Sequence, residues 1–147
     1  MRYLTGAEYE SVATVTAVRD KTYSDGAPIE TDDNSLSLVR MTDGSVGCIQ
    51  SGWTRYGAID NATVIELEKG VIRLLADPEH PVIIERTGQP AEYPECPVLN
   101  GSGVIDEFVD AVLTGRKSPL DGENIAPSML ALLAAERSAR EGKIICM

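Results

Sequence analysis

The sequence predicts an α+β domain: a mostly antiparallel open sheet with two C-terminal helices packed on one face, the other face used for association. Three observations lead there. Strand patterns come first and helical patterns last, with hairpin links and no repeated βα alternation. After Asn100 the apolar period changes from that of strands to that of a helix. Both parities of several strands are apolar: Val12 and Val18 against Ala13, Val15 and Ala17, and Leu36 and Leu38 against Val39 and Met41. A sheet with two apolar faces, and helices for only one, must bury the second against another chain or another domain. At 147 residues the chain suits a single domain, 1–147, large enough to bury a core.

From Glu8 to Arg19 the β-branched mixture of Val12, Thr14, Val15, Thr16 and Val18 reads as a long strand, its centre covered on both faces. Ser24 to Asn34 gathers Asp25, Gly26, Pro28, Asp32 and Asp33, a polar breaker cluster that reads as an exposed loop. Ser35 to Met41 and a returning strand from Ser45 to Trp53 flank Asp43-Gly44, a dipeptide that supplies the positive φ angles of a tight hairpin turn. Thr63 to Leu67 and Val71 to Leu75 form a second hairpin through Glu68-Lys69-Gly70, the glycine removing the penalty for a left-handed turn residue. Val82 to Arg86 is a further short strand, closed by Thr87-Gly88-Gln89-Pro90 before a stretch broken by Pro94 and Pro97.

Val104, Ile105, Phe108, Val109, Val112 and Leu113 then line one side of a helix whose other side carries Asp106, Glu107 and Asp110. Ser102 stands at its N-cap, acids fill its first turns, and Gly115 ahead of Arg116 and Lys117 ends it. The last helix starts between Asp121 and Pro127 and ends at Gly142, because Pro127 is comfortable at a first helical position and costly further in. Met129 to Ala135 is apolar all round and reads as a buried turn, whereas Glu136, Arg137, Arg140 and Glu141 are polar. This helix is therefore expected to start inside the domain and emerge toward solvent. Lys143 to Met147 is placed as a short closing strand.

Composition narrows the function. Thirteen Lys and Arg against 23 Asp and Glu give a net charge of −10, and no basic run interleaves with aromatics, so nucleic acid is not an expected partner. No apolar stretch approaches the roughly 20 residues of a bilayer span, and no membrane partner is expected. The N-terminus moves directly into strand-like sequence without the apolar segment and cleavage site of a secretory signal, which makes the cytoplasm the default setting. Cys48, Cys96 and Cys146 are odd in number and widely spaced, favouring free thiols; Cys48, inside a strand, reads as a small core residue.

Chemistry-bearing motifs are few. His80, in Asp77-Pro78-Glu79-His80-Pro81, has no second ligand at a metal-binding spacing and reads as an exposed loop residue, so no metal site is expected. Asn100-Gly101-Ser102-Gly103 lacks the βαβ context of a phosphate cradle and reads as a flexible helix entry. Asp32-Asp33 falls in the polar loop, where solvated charge is expected. Ser51-Gly52-Trp53-Thr54-Arg55-Tyr56-Gly57 is the one place where an indole, a guanidinium and a phenol cluster at a strand end. These groups suit contact with a polyhydroxylated ligand, a subunit anchor, or plain packing. Trp53, Arg55 and Tyr56 are the candidate substrate-binding residues.

The run Ile105-Asp106-Glu107-Phe108-Val109-Asp110-Ala111-Val112-Leu113-Thr114-Gly115-Arg116-Lys117-Ser118-Pro119, then Asp121-Gly122-Glu123-Asn124 and Leu133-Ala134-Ala135-Glu136-Arg137-Ser138-Ala139-Arg140-Glu141-Gly142-Lys143, resembles the closing helices of Gfo/Idh/MocA-type oxidoreductases. These are the glucose-fructose oxidoreductase and inositol dehydrogenase relatives. Leu4-Thr5-Gly6 ahead of a strand with Ser11-Val12 and Ala17, then Leu38 to Met41, Asp43-Gly44-Ser45 and Trp53, is similar to the start of that family's sheet domain. The resemblance implies a C-terminal domain whose open sheet shapes a substrate site and mediates oligomer contacts. The N-terminal Rossmann domain, which holds NAD or NADP in the full-length enzymes, is absent from this sequence, as is the Glu-Lys-Pro motif with the family's catalytic lysine. The family's Asp and His on the helix before Leu-x-Gly would fall upstream of Met1. No catalytic residue is carried over, and no cofactor is expected to be bound by this chain.

Hydride transfer needs a nicotinamide, a proton relay and a substrate held in register, and this chain supplies at most part of the last. The expectation is the substrate-binding and oligomerisation domain of an NAD(P)-dependent oxidoreductase acting on a sugar, cyclitol or similar polyol, not catalytic alone and present as a homo-oligomer. The alternative is a non-enzymatic module that associates with itself or a partner through the same sheet.

Overall fold

The computed structural model describes residues 1–53, 57, 60–96 and 103–147. In chain order its elements are α1 (Arg2–Thr5), β1 (Tyr9–Ala17), β2 (Asn34–Met41), β3 (Val46–Gly52), β4 (Thr63–Leu67), β5 (Gly70–Leu74), β6 (Val82–Arg86), α2 (Val104–Thr114), α3 (Gly122–Glu141) and β7 (Ile145–Cys146). This is an α+β chain with antiparallel, open sheets and its two long helices near the C-terminus. The strands divide between two sheets, β3-β2-β1-β7 and β4-β5-β6. The chain correspondingly divides into two compact units, Met1–Arg55 with Val104–Met147, and Tyr56–Gly103.

In the larger unit β1 pairs antiparallel with both β2 and β7, Val12 facing Val39 on one side and Ile145 on the other. Alternation places Val12 and Val39 on one face of the sheet, and Ala13, Val15, Leu36 and Leu38 on the other. A register shift between Tyr9 and Ser11 pairs Tyr9 with Met41 and Ser11 with Arg40. This bulge matters because strict alternation would give Tyr9 the parity of Ser11, Ala13 and Val15. The extra residue moves it to the core face, where it packs beside buried Met41. The core consists of Val12, Val39, Met41, Ala134 and Ile145.

Within a single copy the centre of β1 is covered on one face only. Helix α3 packs on β1 and β7 from one side, burying Val12, while Val15 remains 69% exposed on the other. Cys48, opposite Leu38 in β3, lies on that same uncovered face and is exposed, which corrects its reading as a core residue.

Helix α3 corrects a second expectation. Its buried and half-buried positions, from Pro127 and Ser128 through Ala131, Ala134 and Ala135 to Ser138 and Ala139, form a helical stripe of small residues. Met129, Leu130, Leu132 and Leu133 are exposed, so the apolar run is not a buried turn. Burial is greatest toward the C-terminal half, at Ala134 and Ser138, rather than at the start. Small side chains let the helix axis approach the sheet closely, and Ser138 uses that proximity. Its Oγ accepts from the Thr14 N–H (2.9 Å) and donates to the Lys143 carbonyl (2.7 Å). Edge strand β7 reaches only as far as Val12, so Ser138 supplies a partner for the next N–H of β1 on that side.

The ends of α3 follow the sequence. Asp121 caps the first turn by accepting from Asn124 N–H (2.8 Å), and Gly142 closes the last with φ 64°. Pro127 lies in the second turn, where the Glu123 carbonyl loses the N–H it would otherwise receive. Helix α2 buries Ala111 and exposes its large apolar residues, Ile105, Phe108, Val112 and Leu113 among them. It is closed by Arg116, whose guanidinium folds back on Glu107 (2.8 and 2.9 Å) and Asp110 (2.6 and 3.0 Å). The assigned N-cap, Ser102, lies outside the described residues.

Three turns differ from their sequence reading. The N-terminal segment forms a helical turn, α1, whose Arg2 binds Glu8 (2.6 and 2.7 Å) and the Asn124 carbonyl (2.6 Å), tying the start of the chain to the start of α3. At Asp43-Gly44 only the glycine has positive φ (87°). Gly44 N–H bonds to Met41 O, and Asp43 accepts from Ser45, as in a type I turn completed by a left-handed glycine. Gly70 belongs to β5 rather than to the turn; a Cβ there would overlap the Glu85 carbonyl, so close approach between strands selects the glycine.

Candidate functional site

The candidate site lies at the end of the four-stranded sheet where β1 and β3 finish and β2 begins. Along the α3 side of that sheet, the row Val12, Val39 and Gly47 gives way to Thr14, Ser37 and Ile49, and then to Thr16, Ser35 and Ser51. The apolar row belongs to the core and the next two are rich in hydroxyls. Thr14 Oγ1 and Ser37 Oγ are hydrogen-bonded at 2.9 Å. Trp53 follows directly after β3, is 68% exposed, and donates its N–H to the Asp33 carbonyl (2.8 Å). Of the three residues assigned to substrate from sequence, Trp53 is thus placed at this strand end, and Arg55 and Tyr56 lie outside the described residues.

Asp33 overturns its sequence reading. It is not a solvated loop carboxylate but is buried, with 4% of its surface exposed. Its oxygens accept from the backbone N–H groups of Arg19 (3.0 Å), Asp20 (3.1 Å) and Lys21 (3.2 Å), and from the Asn34 side-chain amide (2.8 Å). Burial alone would raise its pKa; the donated hydrogen bonds outweigh burial and hold it at about 2. The turn pattern of residues 24–34 conceals this, because a buried capping aspartate and a solvated one look alike in a polar run. The available signal was position: the aspartate immediately precedes a strand.

A depressed carboxyl fixes the sign of a pH effect. Asp33 contributes stability that is fully present above its ordinary pKa of 3.8 and is lost as pH falls through about 2. Asp33→Asn is expected to melt roughly 5 °C below the parent at about pH 6, with the gap narrowing below about pH 4 and closing near pH 2. Thermal melts of both chains across that range provide the check; a gap independent of pH refutes the assignment.

The remaining candidates are described each in its own surroundings. His80 is exposed, its N–H donates to Asp77 Oδ1 (3.2 Å), and its ring lies 4.4 Å from that of Tyr93. Cys48, Cys96 and Cys146 are free and exposed. Among the described residues no three His, Cys, Asp or Glu side chains gather as a metal site, and no helix is long and apolar enough to cross a membrane. Among the described residues every named strand pair is antiparallel. Of Asn100-Gly101-Ser102-Gly103, only Gly103 is described, with φ 70°.

No protein-family profile and no curated protein sequence matches this chain. Solved structures do. An aldose-aldose oxidoreductase from Caulobacter crescentus, complexed with glycerol, superposes with a TM-score of 0.79 at 21% identity, over 99% of this chain and 43% of its own. Levoglucosan dehydrogenase, complexed with NADH and levoglucosan, gives 0.76 at 19% identity, over 99% and 46%. The WlbA dehydrogenase from Bordetella pertussis, complexed with NADH and UDP-GlcNAcA, gives 0.70 at 22% identity, over 99% and 40%. This chain therefore spans less than half the length of each. At the level of fold, the resemblance to Gfo/Idh/MocA-type oxidoreductases holds along nearly the whole chain.

Proposed function

We propose that this chain is the C-terminal substrate-binding and oligomerisation domain of an NAD(P)-dependent oxidoreductase acting on a sugar, cyclitol or similar polyol. The observation that carries the reading is the two-sidedness of the four-stranded sheet. One face is packed by α3 and continues into rows of hydroxyls beside Trp53, and the other is apolar and uncovered. The first arrangement suits a polyol, whose hydroxyls exchange hydrogen bonds with Ser and Thr while its C–H face stacks on an indole. The second suits a further copy of the chain, giving a homo-oligomer.

Trp53, Arg55 and Tyr56 are the proposed substrate contacts. In this reading NAD or NADP is held by a Rossmann domain rather than by this chain, and the isolated chain is not catalytic. The exposed apolar side chains of α2 and α3 provide a surface for such a domain. A cytoplasmic setting accords with three free thiols.

Titration of the chain with D-glucose, read from backbone amide shifts, tests the substrate half of this reading. The expected result is weak saturable binding centred on Thr16, Ser35, Ser51 and Trp53, with no response to NADH. Tight stoichiometric NADH binding would overturn the division of labour. Glucose shifts confined to other parts of the chain would overturn the site.

A further inference from the structure

One residue at this strand end makes more connections than a loop aspartate needs. The Asp33 carboxylate gathers the N–H groups of Arg19, Asp20 and Lys21, just beyond β1. Its own N–H donates to Ala17 O at the end of β1 (3.1 Å), and its carbonyl accepts from Trp53 N–H beyond β3 (2.8 Å). The neighbouring Asn34 opens β2, donates its amide to Asp33 Oδ1, and occupies the space that a side chain at Gly52 would fill. Three strand ends thus meet on Asp33 through its backbone N–H, its carbonyl and its side chain.

We infer that Asp33 is a positioning residue for Trp53, clamping the ends of β1, β2 and β3 so that the indole is presented in one place. The inference rests on the reading of Trp53 as a sugar contact. Asp33 itself is buried and acts through the backbone, so it need not touch ligand. Its carboxylate fixes the 19–21 segment, which in turn fixes the main chain of Asp33 whose carbonyl holds Trp53. Losing the carboxylate leaves three backbone donors without their acceptor, and the local backbone must move to find water. The hold on Trp53 N–H then loosens. An ordered indole binds more tightly than a mobile one, because less freedom is lost on contact.

Trp53 is the only tryptophan in the chain, so its fluorescence reports this position alone. In Asp33→Ala, with far-UV circular dichroism unchanged, Trp53 anisotropy should fall and acrylamide quenching should rise. Asp33→Asn, which keeps one acceptor oxygen and the side-chain shape, should lie between Asp33→Ala and the parent. It also carries the test if Asp33→Ala fails to fold. Glucose affinity should weaken by roughly 2- to 10-fold in the alanine variant, the cost of ordering one side chain on binding. Unchanged anisotropy and quenching in a folded variant overturn the inference, as does unchanged glucose affinity beside a mobilised Trp53. If the parent does not bind glucose yet Trp53 loosens in both variants, the clamp stands and the sugar reading of Trp53 falls.

Discussion

At micromolar concentration and about 0.15 M salt the chain should sediment as a dimer or larger species, and Leu38→Glu should convert it to monomer. The face opposite α3 carries Val15 (69% exposed), Leu36, Leu38 (59% exposed) and Val46 (71% exposed), all on strands of one sheet. Pairing by register aligns Val15 with Leu36 and Gln50, and Ala13 with Leu38 and Cys48, so Leu38 lies on the central strand of this patch. In a two-fold arrangement a substitution enters the interface twice. A glutamate there would be buried among apolar side chains, with Arg40 two residues along the same strand face, and its desolvation would still cost several kcal/mol in the assembly, or at least about a 100-fold rise in the dissociation constant. In a single copy Leu38 is exposed, so the monomer's own stability should change by no more than about 0.5 kcal/mol. The net charge of −10 repels like copies, which is why the salt concentration is fixed near physiological screening. Sedimentation velocity of the parent and Leu38→Glu checks both parts. A monomeric parent at tens of micromolar, or an assembly indifferent to Leu38→Glu, would show that this face does not mediate association.

How far the sequence could be read depended on whether a feature was local. Strand β6 occupies Val82–Arg86 as expected, since its apolar run and the turn after it are both local signals. The end of α3 at Gly142 was legible for the same reason: the left-handed cap is a property of one residue. The uncovered sheet face was legible too, because alternation exposes both parities to inspection. What escaped depends on neighbours distant in sequence. Ser138 is nearly inaccessible because it bridges Thr14 and Lys143, and nothing in Glu136 to Gly142 distinguishes it from a solvated serine. Asp33 and Asp32 are adjacent acids with opposite surroundings, separated only by where β2 begins and by the N–H groups beyond β1 that Asp33 meets. At the site, Trp53 was legible as an aromatic at a strand end, whereas the hydroxyl rows become visible only when register aligns β1, β2 and β3. Hydrophobicity misled for α3 because the helix approaches the sheet through alanine and serine, leaving its leucines outside.

Met41→Ala should cost about 3 kcal/mol and lower the melting temperature by roughly 10 °C, the largest stability loss expected from one truncation in this chain. Met41 is fully buried, and it meets Val12, Val39, Ala134 and Ile145 in the only core cluster found among the described residues. It is also the strand position that Tyr9 joins through the bulge in β1, so the cavity would open beneath two strands. Among the described residues few other large side chains are enclosed: of the buried apolar residues, Ala111 and Ala134 are already small. With so little interior to redistribute, the site has limited means to collapse around a missing thioether, which keeps the cost within the usual range for such a truncation rather than below it. Met41→Leu preserves most of the volume and should cost less than about 1.5 kcal/mol. Urea unfolding of the three chains distinguishes loss of packing from a changed unfolded state, because the first lowers the midpoint at constant slope. These melts belong in the Leu38→Glu monomer, where association does not add to apparent stability. If Met41→Ala cost less than about 1 kcal/mol there, α3 and the sheet would be held together mainly by Ser138 and the backbone rather than by this core.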